Sequence, residues 1–264
     1  MRIDRSRQAE PHHRRPVAAV ILPLALLLAL VALPLLAACG SDQSAEKPAL
    51  TMIGNENMGF LMQTQGGAAG FSADLAAYIA KRMGRTLKVT FAAFPDLLPA
   101  VQAGDSDIAM SAISITPARR QEVSFSDPYF DSGQSLLVAA DSTIGSTVDL
   151  KGMTVGALKD STNEEEAKRI PGTRLVMPFD AKEPMFRALE AGTIDAVVCD
   201  TPFALYNSKA TGKTRVAEQL TIGDQYGIAV KKGDDELLAS INEALAAAVL
   251  DGTSDRLYRQ YFGE

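Results

Sequence analysis

The chain has 264 residues, enough for one large domain or for two smaller lobes. Hydrophobic residues make up 47% of it, enough to form a buried core, so the composition is not that of a disordered protein. Its 26 Lys and Arg residues are outnumbered by 32 Asp and Glu residues, giving a net charge of −6. An acidic charge balance of this kind makes the chain a poor candidate for a nucleic-acid-binding protein.

The first 38 residues differ in kind from the rest. Five arginines form a basic front, and an apolar run from Val17 to Ala38 then leads into Cys39. A basic start, an apolar centre and small residues before a cysteine are typical of a lipoprotein signal peptide. Cleavage would leave Cys39 as a lipidated first residue, carrying fatty acids such as palmitate. The run is also long enough to span a bilayer, so an uncleaved anchor is the alternative. Both place the remaining chain on the outer face of the cell membrane.

Removal of residues 1–38 leaves 21 Lys and Arg against 30 Asp and Glu, a net charge of −9. Both histidines, His12 and His13, are lost with this segment. Their loss excludes Ser-His and Cys-His nucleophiles and His-ligated metal sites, and no cofactor or metal is predicted. Cys199 lies in an apolar run, where a buried structural cysteine is expected. Residues 39–48 are polar and predict a flexible tether.

Strands and helices alternate beyond the tether. In chain order the predicted elements are a strand at 50–53, a helix at 71–83, a strand at 87–91, a helix at 94–103, strands at 108–110, 135–140 and 153–158, a helix at 164–170, a strand at 174–177, a helix at 184–191, a strand at 194–199, a helix from 201, a strand at 225–231, and helices at 237–250 and 254–262. This alternation predicts α/β architecture with parallel sheets covered by helices. Ligands of such sheets bind at the carboxyl ends of the strands.

The stretch from 107 to 130 contains the most informative local pattern. Thr116 and Pro117 suit the cap and first position of a helix. Arg119 and Arg120 then fall in its first turn, where the helix dipole disfavours cations. Because small hydroxyl residues precede them at the strand end, a carboxylate receptor is one interpretation. A capped surface helix with solvated arginines is the other.

Two segments repeat the same pattern. Residues 103–109 and 191–197 each contain a helix end, a glycine, two further residues and an aspartate that opens a strand. Such a repeat is expected of two lobes with similar topology.

Four motifs together resemble one known family. They are Gly70–Ala76 (GFSADLA), Phe94–Ala100 (FPDLLPA), Ser114–Arg120 (SITPARR) and Phe125–Phe130 (FSDPYF). In this order they resemble the extracellular solute-binding proteins, family 3, which serve ABC importers of polar amino acids. The resemblance covers nearly all of residues 50–263.

The resemblance implies a type II periplasmic-binding-protein fold. Each of its two lobes would be a mainly parallel sheet flanked by helices, and two strand-like hinges near Val138–Ala140 and Tyr226–Ala229 would join them. Lobe 1 would comprise residues 49–138 and 227–264, and lobe 2 residues 139–226. The C-terminal helices would return to lobe 1, and the ligand would lie between the lobes.

The family's binding residues can be carried over position by position. Arg119 matches the arginine that grips the ligand α-carboxylate, and Ser114 and Thr162 match residues whose backbone N–H groups meet the same carboxylate. Asp200 matches the acid that receives the α-ammonium. Ser111 would add a carbonyl or hydroxyl acceptor.

The resemblance also assigns a pocket for the ligand side chain. Phe94 and Asn57 match pocket positions, and Ser161 is the first of the hydroxyl pair that ends with Thr162. Glu56 would lie near the pocket. The first loop lacks the family's usual aromatic lid, which Phe60 or Phe94 would replace. Asp160 stands where the family usually has glycine.

These observations predict a monomeric, lipid-anchored substrate-binding component of an ABC importer, not an enzyme. Its partners would be a polar amino acid or close derivative, a permease in the cytoplasmic membrane, and the membrane itself through Cys39. The alternative is a periplasmic enzyme on the same fold, similar to cyclohexadienyl dehydratase, in which Glu56, Asp160 or Asp200 would act as acid or base. A sensory input domain would need an output module after Phe262.

Overall fold

The computed structural model of the protein describes residues 48–263, which form an α/β structure with two five-stranded sheets. The predicted signal segment, Cys39 and nearly all of the tether lie outside the described residues. Within residues 48–263, no helix combines the length and the apolar character that a membrane crossing requires.

Twelve strands and eight α-helices are assigned within the described range. The strands are β1 (Leu50–Gly54), β2 (Met62–Thr64), β3 (Gly67–Ala69), β4 (Leu87–Phe91), β5 (Ile108–Ala109), β6 (Ser124–Phe125), β7 (Phe130–Ala139), β8 (Thr154–Leu158), β9 (Leu175–Phe179), β10 (Ala196–Asp200), β11 (Thr214–Tyr226) and β12 (Ala229–Val230). The helices are α1 (Phe71–Arg82), α2 (Leu97–Ala103), α3 (Arg119–Glu122), α4 (Thr162–Arg169), α5 (Lys182–Glu190), α6 (Thr201–Thr211), α7 (Asp235–Leu250) and α8 (Thr253–Phe262). Short 3-10 helices cover Phe94–Asp96 and Thr147–Leu150.

The two sheets have the same topology. The first has the order β4-β1-β5-β12-β6, and the second has the order β9-β8-β10-β7-β11. In the first sheet β1 pairs parallel with β4 and β5, while β12 pairs antiparallel with both of its neighbours. In the second, β8 pairs parallel with β9 and β10, and β7 pairs antiparallel with β10 and β11. Each sheet therefore has one strand that opposes the other four, and the predicted fold class is confirmed.

The sequence repeat has a structural counterpart. The Asp107 carboxylate accepts from the backbone N–H of Thr51 at 2.9 Å, and the Asp195 carboxylate accepts from that of Thr154 at 2.7 Å. Asp107 directly precedes β5 and bonds to the start of β1, and Asp195 directly precedes β10 and bonds to the start of β8. The glycines of the repeat, Gly104 and Gly192, both have positive φ, which a residue without a Cβ adopts readily.

The first crossing between the sheets differs from the expectation. β7 begins at Phe130, opposite Tyr226, and pairs along its whole length within the second sheet. The chain therefore leaves the first sheet between Phe125 and Phe130, and the expected position at Val138–Ala140 is the far end of a strand in the second sheet. It returns between Tyr226 and Ala229. By strand pairing, the first part of lobe 1 would end within residues 126–129 and not at residue 138. The division into lobes stays a prediction.

Helices cover both sheets. α1 packs against α7 and α8, so the C-terminal helices lie on the side of the first sheet. α4, α5 and α6 contact strands of the second sheet. Cys199 is 1% exposed within β10, in agreement with a structural thiol.

Candidate functional site

Arg119 lies at the start of the single-turn helix α3. Its backbone N–H donates to the Thr116 hydroxyl at 3.2 Å, but the helix has Ala118 as its N-cap, two residues after the cap predicted at Thr116. Its Nη1 donates to the carbonyl oxygen of Ser114 at 3.0 Å, and its guanidinium carbon lies 5.4 Å from the centre of the Phe94 ring. Arg119 is half-buried and Arg120 is exposed. The two adjacent arginines therefore have different environments.

The electrostatic environment of Arg119 is that of a cation held away from water. Burial lowers the pKa of Arg119, and the carboxylates of Asp200, Glu165 and Asp224 oppose that shift. A guanidinium stays protonated under these conditions. It is therefore a fixed positive charge with nitrogens left to bind an anionic group.

Ser114 links the two parts of the structure. Its hydroxyl donates to the Asp224 carboxylate at 2.9 Å and lies 3.4 Å from the Thr162 hydroxyl. Ser114 follows a strand of the first sheet, whereas Thr162 begins α4 on the second sheet. The structure thus brings together two of the residues that the sequence assigns to the carboxylate subsite.

The turn before α4 explains the positions of Ser161 and Asp160. The Ser161 hydroxyl donates to the carbonyl of Leu158 at 2.5 Å and accepts from the N–H of Glu164 at 3.3 Å, so it caps the helix. Asp160 is exposed and adopts a left-handed φ of 54°, a conformation that glycine would adopt at lower cost. The N–H groups of Thr162 and of the next residue have no acceptor one turn earlier in the helix.

Asp200 is a buried carboxylate at the carboxyl end of β10, where it also precedes α6. Burial raises the pKa of Asp200, while the charge of Lys182 and the side chain of Asn163 oppose the rise. The Oδ1 atoms of Asp200 and Asn163 are buried and have no hydrogen-bond partner within the described part of the chain. Two neighbouring acceptors therefore lack donors, which is costly in a buried site.

Lys182 was not identified from the sequence. It is the first residue of α5, is 4% exposed, and places Nζ 4.5 Å from the centre of the Phe203 ring and 5.9 Å from that of Phe94. Burial lowers the pKa of Lys182, and Asp200 opposes that shift. Phe94, 8% exposed, is thus in contact with two cations, Arg119 and Lys182. A lysine before an amphipathic helix carries no sequence signal that separates it from a surface lysine.

Asp224 was also missed. It lies in β11 beside a register shift, is half-buried, and is the acceptor of the Ser114 hydroxyl. Burial raises the pKa of Asp224, and its hydrogen bond from Ser114 and the charge of Arg119 counteract the rise.

Ser111 and Asn57 hold the first loop in place. The Ser111 hydroxyl donates to the Asn55 carbonyl at 2.8 Å and accepts from the Asn55 N–H at 3.1 Å and from the Asn57 amide at 2.9 Å. These bonds use the one donor and both acceptor sites of the Ser111 hydroxyl, so the hydroxyl has no capacity left for a ligand. The Asn57 Oδ1 accepts from Leu61 N–H at 3.1 Å. Glu56 is exposed and accepts from the N–H of Gln63 at 3.2 Å.

Phe60 lies in an aromatic cluster rather than over an open cleft. It is fully buried, and its ring centre is 4.6 to 5.9 Å from those of five aromatic neighbours: Phe71, Phe130, Phe203, Tyr226 and Phe262. Gly70 permits this arrangement, because a Cβ there would come within 2.5 Å of the Phe60 carbonyl oxygen. Phe94, and not Phe60, is the aromatic residue next to Arg119.

Replacement of Phe60 with leucine tests this distinction. We expect Phe60→Leu to lower the free energy of unfolding by about 1–2 kcal/mol, because edge-to-face ring contacts are lost while the volume is nearly kept. Ligand affinity should change less than about threefold, or about 0.7 kcal/mol. Phe94→Leu is the matched control, and it should weaken binding more than Phe60→Leu does, because Phe94 contacts Arg119. Denaturant unfolding and titration calorimetry measure both, and a large loss of affinity in Phe60→Leu would restore the lid interpretation.

A cavity of 260 Å³ borders the charged cluster, with Phe94, Arg119 and Asp160 in its wall. A larger groove of 640 Å³ lies along α6 and α8 and is mostly apolar. Size alone would favour the groove, but the smaller cavity has the Arg119 guanidinium in its wall, and a positive charge held away from water is what an anionic group of a ligand requires.

Comparisons with known proteins agree with this geometry. The family model for bacterial extracellular solute-binding proteins, family 3, matches residues 50–264. The ABC transporter glutamine-binding protein GlnH of Bacillus subtilis is 33% identical over 90% of this chain and 96% of its own length. The lysine/arginine/ornithine-binding periplasmic protein of Escherichia coli is 34% identical over 75% of this chain and 80% of its own.

Solved structures extend the comparison to the fold. An ancestral arginine-binding protein bound to glutamine is 36% identical, with a TM-score of 0.77 over 82% of this chain and 98% of that chain. An ancestral amino acid-binding protein described as a precursor of cyclohexadienyl dehydratase is 33% identical, with a TM-score of 0.75 over 81% of this chain and 95% of that chain. With its two mixed sheets and its type II periplasmic-binding-protein fold, the chain belongs to the bacterial extracellular solute-binding proteins of family 3.

Proposed function

We propose that this protein is the lipid-anchored substrate-binding component of an ABC importer and that it captures a polar amino acid or a close derivative. The observation that carries the proposal is the pairing of a half-buried cation, Arg119, with a buried anion, Asp200, that lacks a hydrogen-bond donor on Oδ1. An amino acid supplies both missing partners in one molecule: a carboxylate for the cation and an ammonium for the anion.

The α-carboxylate would pair with Arg119, whose planar fork matches a carboxylate with two parallel hydrogen bonds. Backbone N–H groups of Ser114 and Thr162 would complete this subsite. The ammonium carries three donors, which suits the unpaired Oδ1 atoms of Asp200 and Asn163. These groups come from both sheets, so a ligand between them would hold the two sheets together. Ligand binding would therefore shift the population towards a closed arrangement of the lobes.

The proposal also includes a membrane permease as partner and a lipid anchor at Cys39. Relatives described as an ABC transporter component and as a periplasmic protein support an importer with a membrane permease. The basic front, apolar run and small residues before Cys39 support lipid anchoring on the outer face of the membrane. We further propose that the protein binds its ligand without chemical change and acts as a monomer.

The test is to purify the full chain in detergent, denature a portion, and identify the released small molecules by mass spectrometry. The remainder is stripped of ligand, shown to be folded by circular dichroism, and titrated with the twenty common amino acids. We expect one amino acid, or a chemically related group, to be released intact and to bind again. A folded, ligand-free protein that binds neither an amino acid nor the compound released from the purified protein would contradict the proposal. Conversion of the bound compound to a product would favour the enzyme alternative.

A further inference from the structure

Lys182 is the least explained charged residue near the binding site. Its ammonium is buried against the rings of Phe203 and Phe94, and it belongs to none of the ion pairs found within 4 Å in the described part of the chain. It is also the first residue of the nine-residue helix α5, where the dipole disfavours a cation. Both burial and the position at the helix start disfavour the positive charge of Lys182. The presence of a lysine here is therefore not explained by a contribution to the stability of the helix.

Its surroundings indicate what it could contact. Asp200 is the carboxylate that most opposes the effect of burial on Lys182, but the two do not come within 4 Å as an ion pair. Asp200 is also the proposed receptor for the ligand ammonium. The Phe94 ring contacts both Lys182 and Arg119 and lines the smaller cavity, so the ammonium of Lys182 lies close to that cavity.

We propose that Lys182 receives the side chain of the bound amino acid and selects a terminal oxygen acceptor, the amide or carboxylate of a glutamine-like or glutamate-like ligand. The inference rests on the proposed function. The ammonium of Lys182 would donate to that oxygen and thereby gain the partner that the protein does not supply.

The same charge disfavours cationic side chains. A lysine or arginine ligand would bring a third cation next to Lys182 and Arg119, and Asp200 is already engaged by its α-ammonium. Glu56 and Asp160, the acidic residues of the flanking loops, are exposed, so water weakens their attraction for a cation, and the half-buried Asp224 carboxylate already accepts from the Ser114 hydroxyl on the Arg119 side. Like charges held together in a poorly hydrated site repel strongly. Lys182 therefore separates this chain from a site built for basic amino acids.

The experiment compares calorimetric titrations of the full chain in detergent with glutamine, glutamate, arginine and lysine. Wild-type protein should bind glutamine or glutamate and show at least about tenfold weaker binding of arginine and lysine. Lys182→Gln should lose about 10- to 100-fold affinity for the oxygen-bearing ligand and gain affinity for arginine. Lys182→Met tests the same loss without a new polar group, and Lys182→Arg should keep the preference because it keeps the charge.

Lys159→Gln is the matched control. Lys159 follows β8 on the same sheet, and its side chain is 50% exposed. The Lys159→Gln variant also loses one lysine charge, but from an exposed side chain. Its preference among the four ligands should therefore be that of the wild type. An equal shift in this control would mean that overall charge, and not contact with Lys182, sets the preference.

The outcomes separate the two proposals. If the folded wild type binds no amino acid, the proposed function fails and the role of Lys182 fails with it. If it binds amino acids but prefers arginine or lysine, only the inference about Lys182 is overturned. Unchanged selectivity in Lys182→Gln and Lys182→Met, with lower melting temperatures, would instead make Lys182 an internal structural partner of Asp200.

Discussion

Replacing Arg119 with alanine is expected to weaken amino-acid binding by about 2–5 kcal/mol, an affinity loss of about thirtyfold or more. The guanidinium is half-buried, and its bond to the Ser114 carbonyl and its contact with Phe94 fix its orientation. A truncated site would leave the ligand carboxylate with backbone donors alone. The free energy of unfolding of the empty protein should fall little, because a cation whose pKa is lowered by burial is not a net source of stability.

Arg120→Ala is the control for this prediction, since it removes the same kind of side chain one position along the same helical turn. Arg120 is exposed, so its loss should change affinity less than about threefold, or about 0.7 kcal/mol. Titration calorimetry with the ligand identified by mass spectrometry measures both variants. Equal losses in Arg119→Ala and Arg120→Ala would show that general positive charge, rather than one positioned guanidinium, holds the carboxylate.

The sequence predicted those parts of the fold that depend on local pattern. β4 has the predicted bounds, and the aspartates of the repeat, Asp107 and Asp195, do occupy equivalent positions at the starts of equivalent strands. β11 was largely missed, because its side chains are mostly half-exposed, its register shifts three times, and its partner β7 is distant in sequence. Long-range pairing of this kind leaves no periodic signal in a single strand.

The candidate site divides in the same way. Ser114 and Asp200 could be proposed because the four motifs of the resemblance allow the family's binding residues to be carried over to these positions. Lys182 and Asp224 could not, since their positions depend on how a helix start and an irregular strand pack against other elements. Phe60 was expected over the ligand because the resemblance places the first loop there, but its ring packs into the aromatic cluster. Loop position does not determine side-chain direction.

Replacing Asp200 with asparagine should cost about 2–5 kcal/mol of binding free energy at neutral pH, because the ligand ammonium would lose its buried counter-charge. Asparagine keeps the size of the side chain, so the loss reports charge rather than packing. Asp180→Asn is the matched control, since Asp180 follows β9 in the same sheet and its side chain is 81% exposed. Comparable losses in the two variants would show that the charge of Asp200 has no specific role.

The pH dependence gives an independent check of the same residue. Burial raises the pKa of Asp200 above its ordinary value of 3.8, so between that value and neutrality the folded, empty protein binds a proton more tightly than the unfolded chain. The free energy of unfolding of the wild type, relative to that of Asp200→Asn, should therefore rise as pH falls from 7 towards 4. Conversely, this extra stability is lost as pH rises through the folded pKa. Asp224, whose pKa is raised as well, is present in both proteins, and its negative charge is one of the causes that raise the pKa of Asp200. Binding should show the opposite trend: wild-type affinity weakens at low pH because protonated Asp200 no longer attracts an ammonium, while the affinity of Asp200→Asn changes less. Thermal unfolding without ligand and calorimetry with ligand follow the two trends, and parallel pH profiles in both proteins would remove Asp200 from the ammonium subsite.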